Sequence, residues 1–428
     1  MTAEPVTLAL CGDVMLGRGV DQILPFPGDP ELREPYVQDA RIYVGLAESA
    51  NGPVHHPVAF RYPWGDALAA LDAAEPDARV LNLETSVTRR GTFAPGREIH
   101  YRMHPANLPC LVAARPDVCV LSNNHVLDFG REGLAETLRG LAAAGLRSVG
   151  AGADAEAARR PAVVRLPGGH RLLVLALGMP SSGIPRTWAA TARHSGVHWA
   201  DGLTPATAAA VAAQLRARKR IGDLAMVSVH WGSNWGYGVP RAQTACAHAL
   251  IDAGVDLVHG HSSHHPRPVE VYQGKLILHG CGDFIDDYEG ITGYERYRDD
   301  LRPLYLAALE PGTGRLQELR IVPFQAHRMR LRHASAEDAR WLGALFDRLA
   351  GGFAPAPSPP TRPRPDPAPG LNGADRTRRR PHPAPTATPA ADRTRCRATP
   401  VRRPPPRPAP APAAPPPRAG SPPSGRPP

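Results

Sequence analysis

The stretch Val6–Arg18, VTLALCGDVMLGR, decides the fold class, because an apolar run of strand length ends here at Gly12 and Asp13. A short apolar run bounded by a turn signal is typical of a buried strand. In open α/β sheets, ligands bind in the crevice outside the carboxyl ends of the strands. The stretch therefore predicts a buried first strand that delivers Asp13 to a binding crevice.

Short apolar runs alternate with helical segments along much of the chain. The strand-length runs are Val6–Leu10, Arg79–Leu83, Val118–Leu121, Leu172–Leu177, Leu224–Val229 and Val255–Val258. Between them, Arg131–Ala144 and Arg241–Ala253 form helix candidates that stop at Gly145 and Gly254. Such alternation predicts an α/β domain with a largely buried sheet.

Towards the end of this region the pattern changes to hairpins and a closing helix. Three segments have the pattern of two strands around a glycine-containing turn: Pro161–Gly178, Pro268–Gly280 and Leu304–Val322. A final helix is predicted to begin at Ser335, with Asp338 three residues on, and to turn Trp341, Leu342, Leu345 and Leu349 inward.

Residues 354–428 differ sharply from the rest in composition. They contain 26 prolines and 14 arginines, but only three aspartates and neither glutamate nor lysine, which gives a formal charge of +11. Because the whole chain carries +10, residues 1–353 sum to −1, which is not the charge of a basic DNA-binding domain. We predict one domain at 1–353 and a disordered tail at 354–428, either without a specific role or binding anionic surfaces or a proline-recognising module.

Cysteine usage and hydropathy are used to predict the cellular compartment of the protein. The six cysteines are scattered without a C-x-x-C pair, at Cys11, Cys110, Cys119, Cys246, Cys281 and Cys396. Four of them lie in apolar or strand-like runs, which favours buried free thiols in a reducing compartment. No targeting segment precedes the strand at Val6, and no run of 18 apolar residues could span a bilayer. We therefore expect a cytoplasmic protein without a membrane span.

Polar side chains recur at five points where apolar runs end. In chain order they are Asp13; Asn82 and Glu84; Asn123, Asn124, His125 and Asp128; His230; and His261, His264 and His265. Because the carboxyl ends of strands share one edge of an α/β sheet, these side chains are expected to meet in one crevice. Oxygen and imidazole ligands suit Mn, Fe, Zn, Co or Ni better than Mg or Ca. The pattern predicts a site for one or two divalent metal ions.

Each of these residues also has a simpler explanation when it is taken alone. An aspartate after a strand is usually a turn or helix cap, a lone histidine such as His230 is usually a core or surface residue, and Asn124 can close an Asx turn. The coincidence of five strand ends, each with a ligand type, favours the metal site. The other histidines are left as ordinary core or surface residues: His55, His56, His100, His104, His194, His198 and His327.

Five segments resemble, in the right order, the successive signatures of the CapA family, the poly-γ-glutamate capsule-synthesis proteins. They are GDVMLGR (12–18), NLETSVT (82–88), SNNHVLDFG (122–130), SVHWG (228–232) and GHSSHHPRPVEVYQGKLI (260–277). The resemblance covers about residues 6–330, and that family is a divergent branch of the calcineurin-like metallophosphoesterases. It implies a four-layer α/β/β/α sandwich with a dinuclear metal site between the loops.

Carried over motif by motif, the resemblance implies the following metal ligands: Asp13, Glu84, Asn124, His230, His261 and His264. It makes His125 the residue that protonates the leaving group. Asp128 is predicted to orient His125, with a helix cap as the alternative. Arg18 is predicted to hold an anionic substrate, because a guanidinium matches carboxylate or phosphate oxygens bidentately; the alternative is a surface arginine.

The chain departs from the phosphoesterase pattern at several positions. Met15 stands where the phosphoesterases have a histidine, and Asn82-Leu83-Glu84 replaces their second-motif Gly-Asp. The wider spacing of GHSSHH leaves His264 and His265 as alternatives for one ligand. Where many relatives read Gly-Asn-Phe, this chain has aspartate at position 283. Many relatives also carry an N-terminal membrane anchor, for which we expect no counterpart here.

Two function classes remain open on these residues. The retained His125 and a nearly complete ligand set favour a hydrolase that cleaves a phosphoester or amide bond with a metal-activated water. The alternative is a non-catalytic assembly or binding factor in polyanionic polymer synthesis that keeps the metal site. In both cases we expect an anionic small-molecule or polymer partner such as poly-γ-glutamate, and no specific nucleic acid.

Overall fold

The computed structural model describes residues 4–350, so the predicted tail at 354–428 lies outside the described residues. The strands are β1 (Val6–Val14), β2 (Ala78–Leu83), β3 (Ser86–Val87), β4 (Arg102–Met103), β5 (Val118–Val120), β6 (Arg147–Val149), β7 (Ala151–Gly152), β8 (Ala162–Arg165), β9 (Arg171–Gly178), β10 (Gly196–Val197), β11 (Leu224–His230), β12 (Leu257–His261), β13 (Val269–Tyr272), β14 (Lys275–Leu278), β15 (Asp283–Ile285), β16 (Leu301–Leu309), β17 (Leu316–Ala326) and β18 (Leu331–His333). The α-helices are α1 (Gly19–Ile23), α2 (Arg41–Asn51), α3 (Asp66–Ala74), α4 (Leu108–Val112), α5 (Gly130–Ala143), α6 (Ala155–Arg159), α7 (Pro205–Arg216), α8 (Arg241–Asp252) and α9 (Ala336–Ala350).

The larger sheet is organised around β1, whose two halves pair with different strands. The order is β18-β17-β16-β1-β2-β5-β6, with β15 also paired to β1. The first half of β1 runs antiparallel to β16, and its second half runs parallel to β15, with Asp13 opposite Asp283. On the other side β1 is parallel to β2, with Asp13 opposite Asn82. Three polar residues therefore lie side by side on neighbouring strands.

The smaller sheet has the order β13-β14-β12-β11-β9-β8. Strands β9, β11, β12 and β14 run parallel, and the outer strands β8 and β13 pair antiparallel with their neighbours. Every residue of β11 is buried, as expected for a parallel strand that is covered on both faces. The register sets His230 opposite His261 at the ends of β11 and β12.

The side chains of β1 point alternately into two different hydrophobic cores. Leu8 and Leu10 pack between the sheets, against residues of the smaller sheet such as Met226. Ala9 and Cys11 face the other way, into a core shared with α3, α4 and α5. The outer face of the smaller sheet is covered by α7 and α8. These layers form a four-layer α/β/β/α sandwich, so the predicted fold class is confirmed.

The predicted elements agree with the observed ones except in detail. The three hairpins are confirmed as β8-β9, β13-β14 and β16-β17, and the closing helix as α9. The strand predicted at Val255–Val258 instead covers Leu257–His261, because Asp256 still belongs to the turn, where its carboxylate accepts a hydrogen bond from the backbone N–H of Ala225. Within residues 4–350, no helix is long and apolar enough to cross a membrane. The five cysteines in this range are buried free thiols.

Candidate metal centre

Asp13 is fully buried at the carboxyl end of β1, where two other chain segments donate hydrogen bonds to its side chain. Its Oδ1 accepts a hydrogen bond from Nδ2 of Asn82 at 2.7 Å, and its Oδ2 accepts one from the backbone N–H of Ser262 at 3.2 Å. Ser262 has a φ of 104°, which is unusual for a residue with a side chain. This turn directs a backbone N–H at the carboxylate, so Asp13 is held in one orientation.

Asp13 and Glu84 are two buried carboxylates whose pKa values are raised. Burial, together with the charge of Asp283, raises the pKa of Asp13 to about 7. Burial and the charges of Asp13 and Asp283 raise the pKa of Glu84 well above its usual range. Nδ2 of Asn82 donates to Oε2 of Glu84 at 2.8 Å as well as to Asp13, and so ties the two side chains together. A bound cation would offset the repulsion among these buried groups.

Asp13, His230 and His261 form a group that could hold a metal ion, here called the first ligand group, because one side-chain N or O atom of each lies within 4.8 Å of the others. The Nδ1 atoms of His230 and His261 are 2.7 Å apart, and Nδ1 of His261 is 3.9 Å from Oδ1 of Asp13. The Ser228 hydroxyl contacts Nε2 of His261 at 2.9 Å, which fixes that ring. Burial lowers the pKa of both histidines well below the usual value, so both imidazoles are neutral. Neutral imidazoles are the form that binds metal ions.

A second ligand group consists of Asp13, His264 and Asp283, again with ligand atoms within 4.8 Å of one another. Nδ1 of His264 is 3.0 Å from Oδ1 of Asp283, and a guanidinium nitrogen of Arg302 is 3.6 Å from the other oxygen. Burial would lower the pKa of His264, but the charge of Asp283 outweighs it and raises that pKa. Because both groups contain Asp13, they are adjacent and share one carboxylate.

Glu84 and Asn124, two of the predicted ligands, lie beside His230 rather than within these groups. Oε1 of Glu84 is 3.7 Å from Nε2 of His230, and Oδ1 of Asn124 is 2.8 Å from the same nitrogen. Both oxygens therefore stand next to the first group. Their roles as ligands stay predictions.

His125 lies at the edge of the centre and is held by Asp128. Nδ1 of His125 is 2.7 Å from Oδ2 of Asp128, which also accepts a hydrogen bond from the backbone N–H of Tyr101 at 2.7 Å. The first residue before α5 is Phe129, and that helix has no side-chain cap, so the geometry favours orientation of His125 over helix capping. Burial, then the charges of Arg97 and Arg18, lower the pKa of His125.

Arg18 is not a surface residue, because only 3% of it is exposed. Its Nε and Nη2 atoms bind the carboxylate of Asp287 at 2.8 and 2.5 Å, and its Nη1 binds Glu34 at 2.9 Å. The guanidinium also lies 3.7 Å from the ring centroid of Tyr43. Two carboxylates of the chain thus occupy the guanidinium that was predicted to bind a substrate anion. That role stays a prediction which this geometry does not favour.

The structure brings His264, and not His265, into a ligand group. His265 stacks on Tyr297 at 4.6 Å between ring centroids, and its Nδ1 is 3.1 Å from the backbone oxygen of Pro266. Met15, at the position of the missing histidine, is fully buried and offers no nitrogen or oxygen ligand. Sequence reasoning noted Asp283 only as a departure from Gly-Asn-Phe and gave it no role. The available signal was the pair Gly282-Asp283 shortly after an apolar run, as Gly12-Asp13 ends the first run.

Comparison with known proteins identifies a family and several relatives of the chain. The family profile "Bacterial capsule synthesis protein PGA_cap" matches residues 7–288. The chain belongs to this family. A "Probable polyglutamine synthesis accessory protein" of Mycobacterium tuberculosis is 53% identical over 352 residues, which cover 82% of this chain and 92% of that protein. The "PGA biosynthesis protein CapA" of Bacillus subtilis is 28% identical over 247 residues, covering 58% and 60%. The predicted family is confirmed.

Solved structures resemble this PGA_cap protein only distantly. A phosphatase from Mycoplasma pneumoniae covers 82% of this chain and 100% of its own at 9% identity, with a TM-score of 0.39. A calcineurin-like phosphoesterase from Bacillus subtilis covers 82% and 99% at 9% identity, with a TM-score of 0.38. The four-layer fold of this chain is defined by its own sheets and helices.

Proposed function

We propose that this chain is a metal-dependent hydrolase that serves poly-γ-glutamate synthesis by cleaving a phosphoester or amide bond. The observation that carries the proposal is the pair of ligand groups, Asp13 with His230 and His261 and Asp13 with His264 and Asp283. Histidine and carboxylate ligands suit Mn, Fe, Zn, Co or Ni. Two groups joined by one carboxylate match the needs of a two-metal site.

The residues of the centre fit such a cofactor chemically. The raised pKa values of Asp13 and Glu84 mark buried carboxylates that favour a positive charge beside them. The neutral His230 and His261 can each offer a nitrogen lone pair. When bound, a divalent ion lowers the pKa of water towards about 7 and polarises the bond under attack. We further propose Glu84 and Asn124 as additional oxygen ligands beside His230.

His125 is proposed to hold the proton that the leaving group receives. Asp128 engages Nδ1, which leaves Nε2 of His125 as the nitrogen for proton transfer. Because burial and Arg97 keep its pKa low, His125 is neutral in the resting chain. An anionic substrate beside the imidazole would raise that pKa, so the protonated form is expected when substrate is bound.

A second candidate function is supported by one observation. The Mycobacterium tuberculosis relative, 53% identical to this chain, bears the name of a synthesis accessory protein. A chain of that kind would keep the metal centre for stability or for binding an anionic polymer, without turnover. The two candidates differ in whether loss of His125 has any effect beyond structure.

The test compares two neighbouring residues of the same loop. His125→Ala should keep metal content and thermal midpoint, but lose about 10²–10⁴ in turnover of a generic phosphodiester. The loss should shrink for a nitrophenolate leaving group, which needs no protonation. Asn124→Ala should instead weaken metal affinity, with activity partly restored by excess metal.

Metal stoichiometry, thermal midpoint and turnover are measured on both variants. Metal loss of equal size in the two variants would contradict the division of roles. If the wild-type chain holds metal but turns over neither phosphodiester nor γ-glutamyl substrates, the accessory function is favoured instead.

A further inference from the structure

A cavity of about 390 Å³ lies between the start of α5, the helix α6 and the segment 186–199. Its lining includes Arg131, Arg159 and Arg186, and it includes no carboxylate. The only histidine in the lining is His198, whose pKa burial lowers to about 4, so it is neutral at physiological pH. The charge of the cavity wall is therefore positive and comes from the three arginines.

These arginines are not neutralised by the chain itself. Within residues 4–350, neither Arg159 nor Arg186 forms an ion pair, whereas the adjacent Arg160 pairs with Glu156. Arg131 donates through Nη2 to the backbone oxygen of Thr187 at 2.9 Å, and its Nη1 is buried without a hydrogen-bond partner in this part of the chain. Arg18 is the opposite case, since two carboxylates surround its guanidinium. The cavity thus presents guanidinium groups that an external anion can bind.

One short segment of chain runs from beside the loop that carries His125 to the lining of the cavity. Arg97 donates to the backbone oxygen of Asn124 at 2.6 Å and to that of Gly183 at 3.0 Å, so residue 183 lies beside the loop that carries His125. The Ser182 hydroxyl also donates to the backbone oxygen of His230 at 2.9 Å. Four residues after Gly183, Thr187 lines the cavity. Four residues of extended chain span at most about 14 Å, which bounds the distance along this segment.

We propose that this cavity is a second subsite, which binds carboxylates of an extended polyanionic chain whose reacting bond lies at the metal centre. The inference rests on the proposed hydrolase function and names its substrate class, a polycarboxylate longer than a few residues. A guanidinium fork matches a carboxylate bidentately, which suits arginine to this role. A ligand of about four or more residues could occupy the centre and the cavity at once, whereas a dipeptide could occupy only one.

The experiment measures affinity against ligand length on the full-length, metal-loaded chain. The probes are γ-linked diglutamate and γ-linked octaglutamate, and the test variant is Arg159→Gln/Arg186→Gln. The matched control is Arg139→Gln/Arg147→Gln, which removes the same charge from exposed positions outside the cavity lining. All proteins keep residues 354–428, so any binding by those arginines is common to every comparison. Metal content and phosphodiester turnover are measured in parallel.

The test variant should bind octaglutamate about tenfold more weakly than wild type, as expected for two lost, partly exposed ion pairs. Its affinity for diglutamate, its metal content and its phosphodiester turnover should not change. An equal loss in the control variant, or no loss in the test variant, would overturn the subsite. Equal binding of a polyphosphate of matched charge would overturn the assignment to carboxylates. If the wild type holds no metal while the octaglutamate loss persists, the hydrolase proposal falls and the polycarboxylate site stands.

Discussion

The two ligand groups share Asp13 but differ in backbone support and in charge. His230 and His261 lie opposite each other on regular parallel strands, and both imidazoles are neutral. His264 lies in a loop and Asp283 on a three-residue strand, and Nδ1 of His264 is 3.0 Å from Oδ1 of Asp283. Because the charge of Asp283 raises the pKa of His264, a proton competes with a metal ion more strongly at the second group than at the first. Similar ligand types therefore need not give equal sites, and we expect the first group to fill first.

The largest expected effect is on Asp13→Asn, which removes the carboxylate that both groups share. Loss of a partner outside the ligand shell typically costs about 10–100-fold in metal affinity, so loss of this ligand should cost at least about 100-fold at both sites. Metal titration followed by calorimetry measures the change. Asp128→Asn is the matched control, because that carboxylate is equally buried with a pKa also raised to about 7, yet it belongs to neither group. It should keep both ions.

Asp13→Asn should weaken metal binding, but in the metal-free chain it should not lower the stability of the fold. The folded-state pKa of Asp13, about 7, lies above the reference value of 3.8, so the folded chain favours the protonated carboxyl group. The stabilisation that this gives at low pH is lost as the pH rises through about 7. In chelator at neutral pH, Asp13→Asn should therefore be at least as stable as wild type. A lower thermal midpoint under those conditions would contradict the charge argument.

The next effect separates the two groups from each other. His230→Ala should abolish the tighter of two binding steps, whereas His264→Ala should remove only the weaker one and leave about one metal equivalent bound. Elemental analysis after dialysis against limiting metal distinguishes the outcomes. Identical stoichiometry in the two variants would show that the groups do not act as separate sites.

A smaller effect is expected from pH on the wild-type chain. Because the pKa of His264 is raised while those of His230 and His261 are lowered, acidification should weaken the second binding step before the first. The proton on Asp13 affects both steps alike, since both groups contain it. Two-step metal titrations at about pH 8, about 7 and about 6 test this order. Parallel weakening of both steps would remove the proposed asymmetry.

The smallest effect is expected from removal of residues 354–428. The excess positive charge of the chain lies wholly in this segment, and residues 1–353 sum to −1. Truncation after Phe353 should leave the thermal midpoint and both metal-binding steps unchanged. A large fall in the midpoint would show that the segment packs on the domain, against the expectation from its composition.

The sequence predicted one ligand group better than the other for a physical reason. Asp13, His230 and His261 each end an apolar run, and strand ends in an α/β fold share one edge, so their meeting follows from local pattern. Asp283 was not predicted as a ligand, because β15 is only three residues long and pairs with β1 across 270 positions of sequence. No local periodicity encodes that pairing.

The position of Arg18 could not be predicted from its motif either. A lone arginine after a glycine gives no sign of its partners, and Asp287 lies far along the chain. The motif suggested a free guanidinium, whereas burial required a neutralising carboxylate. The division into two sheets was similarly hidden, because strands of both sheets have the same apolar pattern and only the family resemblance implied the sandwich.

The pairing of β1 with β15 has a consequence for the order in which the protein is made. Asp13 leaves the ribosome early, but Asp283 follows only after the chain has been extended by a further 270 residues. Loop closure over that separation is slow compared with local helix formation. A nascent chain can thus complete the first group once His261 has emerged, and the second only later. On the proposed metal function, both groups can be filled only after the larger sheet is complete.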